Sequence, residues 1–521
     1  MSRVPLLDYA FLAFETDNSP KHVGGIQVYE LPAGASDDFV GELVARTKRT
    51  HPQPPFDQRL HTPIGGLPRW QFDDEYEADD YVFHECLGEP GTMAELLERV
   101  ADVHARKVDR TGPLWEIHFF EGLDEGRFAI YFKVHHAYMD GISLSSMAMA
   151  ALTETPEDPG EISFWGKPAA EGDDAPRDSR VTALAATAAK LTKLALSMPA
   201  LARVGLMHGL RLAGLSGHEL PIPFTAPRTL FNAPVTRRRE LCVATLSLER
   251  LRNVAEHAGV TINDVVLELV DSAMSRYLED HDAAPAQPLV AQMPISLRRD
   301  GLTQGNQITI ALLELGAEHD DPVRRLQHIH AHASSVKREF RSMPAEAAEA
   351  YTVLLQTASQ LAELTGLDQH LPPLGNVLVS NLAGPEGPRF LAGARLQAVF
   401  PVSTIAPGLA INITCYSYNG GLHVGVVTGA SEIPDLDDLV DHIASALPAL
   451  EVSMGLGRAA RRRGKSTKPA RKKAKGKKAK SKKVARKPAA KKKTSTRATK
   501  PRKTRPGRAK LRAVDDGNTK Q

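Results

Sequence analysis

The stretch KVHHAYMDGISL, from Lys133 to Leu144, sets His135 beside His136, with Asp140 and Gly141 four and five residues beyond His136. A neutral imidazole is a good general base near pH 7. The preceding RFAIYFKVHH alternates with the period of a strand. Phe128, Ile130, Phe132, Val134 and His136 then share one face, and Ala129, Tyr131, Lys133 and His135 the other. His136 follows four apolar side chains and is expected to point into an interior or a channel. Asp140 can orient a histidine or pair with an arginine to hold the turn. Gly141 permits a positive φ or the close approach of a substrate. A satisfied buried histidine pair fits the same residues, because most buried polar groups are simply hydrogen-bonded. Adjacent strand residues face opposite ways, so the two histidines chelate poorly and no metal is expected.

The elements that position these residues can be read around them. ISLSSMAMAAL has the composition of a helix leaving the Asp-Gly turn. At 521 residues the chain is long for one domain, and two folded units are expected. The segment Thr153 to Ser179, rich in Pro, Gly and acids, ends a first unit spanning 1–178. A helical connector follows at 179–235. Within it, Val181 to Leu215 is rich in Ala and Leu and carries Lys190, Lys193, Arg203 and Arg211 with no acid. It fits an ordinary helix with a solvated cationic side, or a helix lying on an anionic membrane. A second unit spans 236–453. RRRELCVATLSL alternates like a strand, and ERLRNVAEHAG reads as a helix stopped by Gly259. VTINDVVLELVDSAMSRYL reads as another helix, with Thr261 and Asp264 spaced as a capping box. NVLVSNLAGP reads as a short buried strand, and AINITCYSYNGGLHVGVVTG as a hairpin around Asn419 and Gly420.

Charge divides the chain more sharply. Residues 458–521 hold 29 Lys and Arg against two acids, a charge of +27, which leaves the remainder at −24 within the overall +3. The segment 454–521 has almost no large apolar residues and is expected to be disordered. It can bind a polyanion without reading sequence, since it has no aromatic residues to stack on bases. Cys86, Cys242 and Cys415 are far apart and form no CxxC pair, which argues for a reducing compartment and against thiolate metal sites. The N-terminal stretch has no signal-peptide core, and no run of about 18 apolar residues is found, so no membrane span is expected. These features together suggest a cytoplasmic, peripherally membrane-associated protein.

HHAYMDG resembles the HHxxxDG motif of the CoA-dependent acyltransferase superfamily. Further segments resemble its bacterial wax ester synthase/diacylglycerol acyltransferase branch, of the actinobacterial triacylglycerol synthase type. These are LDYAFLAFETDNSPKHVGGIQVYE, PRWQFDDEYEADDYVFH, DRTGPLWEIHFFEGL, TINDVVLELV, MPISLRRD…GNQI and NVLVSNLAGP. They run in order from about Val4 to Leu450. FDQRL departs from the pattern, with Asp57 and Gln58 where a basic run is expected, so no substrate role is assigned there. Trp115 of the PLW element reads as packing.

The resemblance implies a mixed α/β fold: two chloramphenicol-acetyltransferase-like domains around a central tunnel, with the basic tail appended. It implies transfer of a long-chain acyl group from acyl-CoA, a substrate, to diacylglycerol. A long-chain alcohol, giving wax ester, is the alternative acceptor, and a condensation-type enzyme forming amides is another. His136 is then the general base, with His135 and Asp140 supporting it and Gly141 at the turn. Asn263 and Asp264 are candidates for substrate binding. No cofactor is implied. The expected partners are the two substrates, an anionic membrane or lipid-droplet surface for the tail, and non-specific nucleic acid as a physically allowed competitor.

Overall fold

A computed structural model describes residues 2–4, 6–63, 68–158, 164, 205–206, 221–296, 308–316 and 321–456, all within a compact unit spanning Met1–Lys465. In the N-terminal half the strands are β1 (Ser2–Arg3), β2 (His22–Glu30), β3 (Gln58–His61), β4 (Arg69–Phe72), β5 (Val82–Gly91), β6 (Trp115–Leu123) and β7 (Arg127–His135). In the C-terminal half they are β8 (Glu240–Ser247), β9 (Val290–Ser296), β10 (Ile308–Glu314), β11 (Val377–Ala383), β12 (Phe390–Leu391), β13 (Ala394–Val402), β14 (Ile411–Tyr418) and β15 (Gly421–Thr428). Helices α1 (Leu6–Ala13), α2 (Phe39–Arg49), α3 (Met93–Ala105) and α4 (Gly141–Ala150) lie among the first set.

Two six-stranded sheets form the mixed α/β body expected from the sequence. Their orders are β12-β13-β2-β7-β6-β5 and β10-β9-β11-β14-β15-β8. A small third sheet has the order β1-β4-β3. Strand β7, within the first sheet, is buried on both faces. Phe128, Ile130, Phe132 and Val134 of β7 pack in one apolar cluster, while Ala129 and Tyr131 pack in another. The alternation read from the sequence is therefore the packing pattern. Trp115 is fully buried, and its indole N–H donates to the Phe56 carbonyl at 2.8 Å, a packing role.

Chain order does not divide the sheets at 236. β12 and β13 come from the C-terminal half, yet β13 pairs antiparallel with β2 along Arg395–Val402. The first sheet thus takes two strands from the span 236–453. Without β13, β2 would be an edge presenting a row of unpaired backbone groups. The crossing also brings the two sheets into contact. A Cβ on Gly425 of β15 would lie 1.9 Å from the Pro401 carbonyl oxygen of β13, so only glycine permits that approach.

The local signals of the second half hold. The helix Leu248–Ala258 ends on Gly259 at φ 69. The helix Ile262–Asp280 starts on the Thr261–Asp264 capping box. β14 and β15 are joined through Asn419 and Gly420, both at positive φ, as a two-residue hairpin loop requires. Of the connector expected at 179–235, the amphipathic stretch Val181 to Leu215 lies outside the described residues except for 205–206, and so does the tail from 457 onward. Among the described residues no helix is long and apolar enough to cross a membrane.

Candidate active site

β7 ends at His135, and the chain turns at His136. The start of β2 fixes that turn, because His22 pairs in register with His135 and the His136 N–H donates to the Lys21 carbonyl at 2.8 Å. The His136 ring stacks on Phe11 of α1, with centroids 4.1 Å apart and an interplanar angle of 17°. Its Nδ1 is buried and has no hydrogen-bond partner among the described residues. Burial pushes the imidazole down to about 4, so it is neutral at physiological pH.

His135 is turned to the other side and is fully buried. The Ala137 N–H donates to its Nδ1 at 3.1 Å, so the ring proton sits on Nε2, 3.5 Å from Glu15 Oε1. Glu15 is itself enclosed. It accepts from the Lys21 N–H at 3.0 Å and from the Arg110 guanidinium at 2.7 Å. Burial alone raises its carboxyl, but His135, the Lys21 N–H and Arg110 together hold it down at about 2. The histidines thus divide the work: one faces a cavity and the other joins a buried ionic network.

Asp140 caps α4. Its side chain accepts from the Ser143 N–H at 2.7 Å, and it is 6% exposed. Gly141 is the first residue of α4 and is absent from the positive-φ positions, so of the two uses the sequence allowed, positive φ is not the one taken. The helix cap makes the turn instead, and Gly141 supplies close approach to the cavity. Asp8 of α1 lies near enough to feel Asp140: burial, then that charge, raises its carboxyl to about 6.

The cavity measures about 450 Å³ and runs between the two sheets. The first sheet and its helices supply Phe11, Gly24, Phe132, His136 and Leu144. The second half supplies Ile310, Leu378, Ser380, Asn412 and Gln360. Most of the wall is apolar, with His136 and Lys21 as its basic groups. Asp140 and Gly141 border it.

Asn263 and Asp264 do not border it. Asp264 accepts from the Thr261 N–H at 2.9 Å and the Thr261 hydroxyl at 2.8 Å, and His330 Nδ1 stands 2.7 Å away. Asn263 Nδ2 contacts Met293 Sδ at 3.5 Å. The capping box and His330 engage the Asp264 carboxylate, and the lining of this cavity does not include the pair. Sequence reading also missed Glu15, Asp8, Lys21 and Gln360. Each gains its meaning only from strand or helix pairing across long stretches of chain. On the exposed side of β5 and β6, His84, Cys86 and Glu121 bring ligand atoms within 4.8 Å, but they lie outside the cavity wall.

Residues 5–266 match the model of the wax ester synthase/diacylglycerol acyltransferase catalytic domain, and residues 304–451 match that of the WS/DGAT C-terminal domain. The chain belongs to the wax ester synthase/diacylglycerol acyltransferase family. A putative diacylglycerol O-acyltransferase of Mycobacterium bovis is 35% identical over 456 residues, covering 86% of this chain and 98% of the relative. The O-acyltransferase WSD of Acinetobacter baylyi is 30% identical over 449 residues, covering 85% and 96%. The solved wax ester synthase/diacylglycerol acyltransferase of Marinobacter aquaeolei VT8 superposes with a TM-score of 0.70 at 31% identity, covering 88% of this chain and all of that one. A condensation domain of the calcium-dependent antibiotic synthetase, at 17% identity and a TM-score of 0.51, shares the fold alone. As a member of this acyltransferase family, the chain presents its HHxxxDG segment to the cavity between the family's two sheets.

Proposed function

We propose that this protein transfers a long-chain acyl group from acyl-CoA to the free hydroxyl of diacylglycerol, giving triacylglycerol and CoA, with His136 as general base. The observation that carries the reading is the neutral, partly buried imidazole of His136 at the wall of a mostly apolar cavity built from both sheets. The acceptor hydroxyl oxygen attacks the thioester carbonyl carbon while His136 takes the hydroxyl proton. The tetrahedral intermediate then collapses, the carbon–sulfur bond breaks, and the proton passes to the departing thiolate. No cofactor enters this scheme. Desolvation favours it, since an apolar wall leaves water few places from which to compete as nucleophile. Diacylglycerol as acceptor is supported by the names of the mycobacterial relatives. A long-chain alcohol is the second reading, supported by the double name of the Marinobacter protein.

His135 and Asp140 are positioning residues in this scheme. His135 anchors the strand end through Glu15, and Asp140 holds α4 against the cavity. The tail from 458, at +27, tethers the acidic body to anionic lipid, each basic residue near such a surface contributing roughly 1 kcal/mol. The enzyme thereby works at the cytoplasmic surface of a membrane or lipid droplet, with non-specific nucleic acid as a salt-sensitive competitor.

The test is His136→Ala, assayed with labelled palmitoyl-CoA against diacylglycerol, hexadecanol and amines, with neutral-lipid products resolved. Loss of a general base costs about a hundredfold to ten-thousandfold. Turnover by His136→Ala at the wild-type rate would refute the mechanism, and amide as the main product would refute the reaction class. His135→Ala is expected to lower stability more than it lowers the rate per folded molecule.

A further inference from the structure

The cavity holds two hydrogen-bond donors that the acyl-transfer chemistry leaves unused. Lys21 lines it at 4% exposure, and its ammonium makes one hydrogen bond among the described residues, to Ser19 Oγ at 2.7 Å. An ammonium has three N–H donors to place. Gln360 lines the same cavity at 3% exposure, and its Nε2 is buried with no partner among the described residues. Donors enclosed in this way are costly unless something accepts from them.

The two donors line one cavity. Glu363, whose charge is the strongest acting on Lys21, lies three residues from Gln360 on the helix Ala345–Thr365 and so on the same face. Burial brings Lys21 down to about 8, which leaves it charged at neutral pH. The Lys21 carbonyl also accepts the His136 N–H at 2.8 Å. The Lys21 charge also acts on the His136 imidazole, and both groups line the same cavity.

The Lys21 ammonium and the Gln360 Nε2 amide both need an acceptor from a ligand in the cavity. Ester carbonyl oxygens meet that need. A simple fatty alcohol brings no carbonyl oxygen at all; its one oxygen is the reacting hydroxyl beside His136. We propose that Lys21 and Gln360 hold the ester carbonyl oxygens of the acceptor, so that the site takes a partial glyceride ahead of a simple long-chain alcohol. This rests on the acyl-transfer reading above and adds to it the residues that set acceptor class.

The experiment compares two acceptors with palmitoyl-CoA as donor: 1,2-dipalmitoylglycerol and its diether counterpart, 1,2-di-O-hexadecylglycerol. Both present the same hydroxyl and similar chains, and the diether has no carbonyls. The full-length wild type is expected to favour the diester in kcat/KM by about tenfold to a hundredfold, the range for hydrogen bonds to buried donors, one of them charged. Lys21→Met and Gln360→Leu should each bring that ratio towards one. Lys21→Met leaves in place the backbone carbonyl that holds His136. A wild-type ratio near one overturns the proposal, and it needs no variant, so a substitution that unfolds the protein does not remove the test. An equal fall on both acceptors in the variants also overturns it, because the donors would then serve the thioester oxyanion. A raised KM for palmitoyl-CoA with the ratio unchanged does the same, assigning the donors to the CoA arm. If the wild type acylates neither lipid, the proposed function falls and takes this inference with it. Transfer to both lipids at equal rates removes this inference alone.

Discussion

Asp140→Ala should loosen the start of α4, whereas Asp140→Asn should leave it capped. Asp140 is 6% exposed, and its carboxylate accepts the Ser143 N–H at 2.7 Å. Removing an N-cap side chain costs about 0.5–2 kcal/mol, and burial places this case in the upper half, since water reaches the orphaned N–H poorly. A loss of 1–2 kcal/mol corresponds to a roughly 5- to 30-fold rise in local opening. Asn keeps an acceptor oxygen and ranks with Asp as a cap, so its cost should stay under about 0.5 kcal/mol. Asn also removes the charge that helps to raise Asp8. Hydrogen exchange read on peptides covering 140–150 gives the opening directly. Acyl transfer measured in parallel gives the consequence, because α4 presents Gly141, Ile142, Leu144, Ser145 and Ala148 to the cavity. The expected order of damage is Ala well above Asn in both assays. If Asn abolishes transfer while exchange of α4 stays at the wild-type rate, the carboxylate acts by its charge and the capping argument is wrong.

Burial holds His136 neutral down to about pH 4, so the acid limb of kcat/KM that belongs to this group should lie well below 6.5; a limb at 6.5 that vanishes in no other variant would contradict the buried environment. Glu15 titrates in the folded protein at about 2 against an ordinary 4.5, a depressed value. Its stabilisation, on the order of 3 kcal/mol, is present above pH 4.5 and is lost as pH falls from there towards 2. Urea midpoints between pH 7 and 3 should therefore decline less steeply for Glu15→Gln than for the wild type, from a lower starting value. Truncation after Gly457 should abolish low-salt co-sedimentation with anionic vesicles and leave transfer to detergent-dispersed substrate intact. Equal sedimentation of the full-length and truncated chains would sink the tether.

Much of the architecture was legible because its causes are local. Alternation in RFAIYFKVHH described a strand buried on both faces, and Asn419-Gly420 specified a hairpin loop by its tolerance of positive φ. Thr261 and Asp264 announced a helix start, since a capping box needs only residues three apart. HHxxxDG pointed to His136, and its setting at the cavity agrees with that reading.

Other features had no local cause. β13 joins β2 across more than 360 residues, because an open edge on β2 would leave backbone groups unpaired, and no property of either strand names the other. The Asn263–Asp264 pair looked equally suited to capping and to substrate, and the fold shows the capping contacts of Asp264. Nothing in their own segments singles out Glu15, Lys21 or Gln360. The sequence alone determined which backbone conformations were cheap and set a histidine pair at the end of an apolar strand. The tertiary structure decided which charges lost their water, because desolvation depends on neighbours brought in from distant parts of the chain.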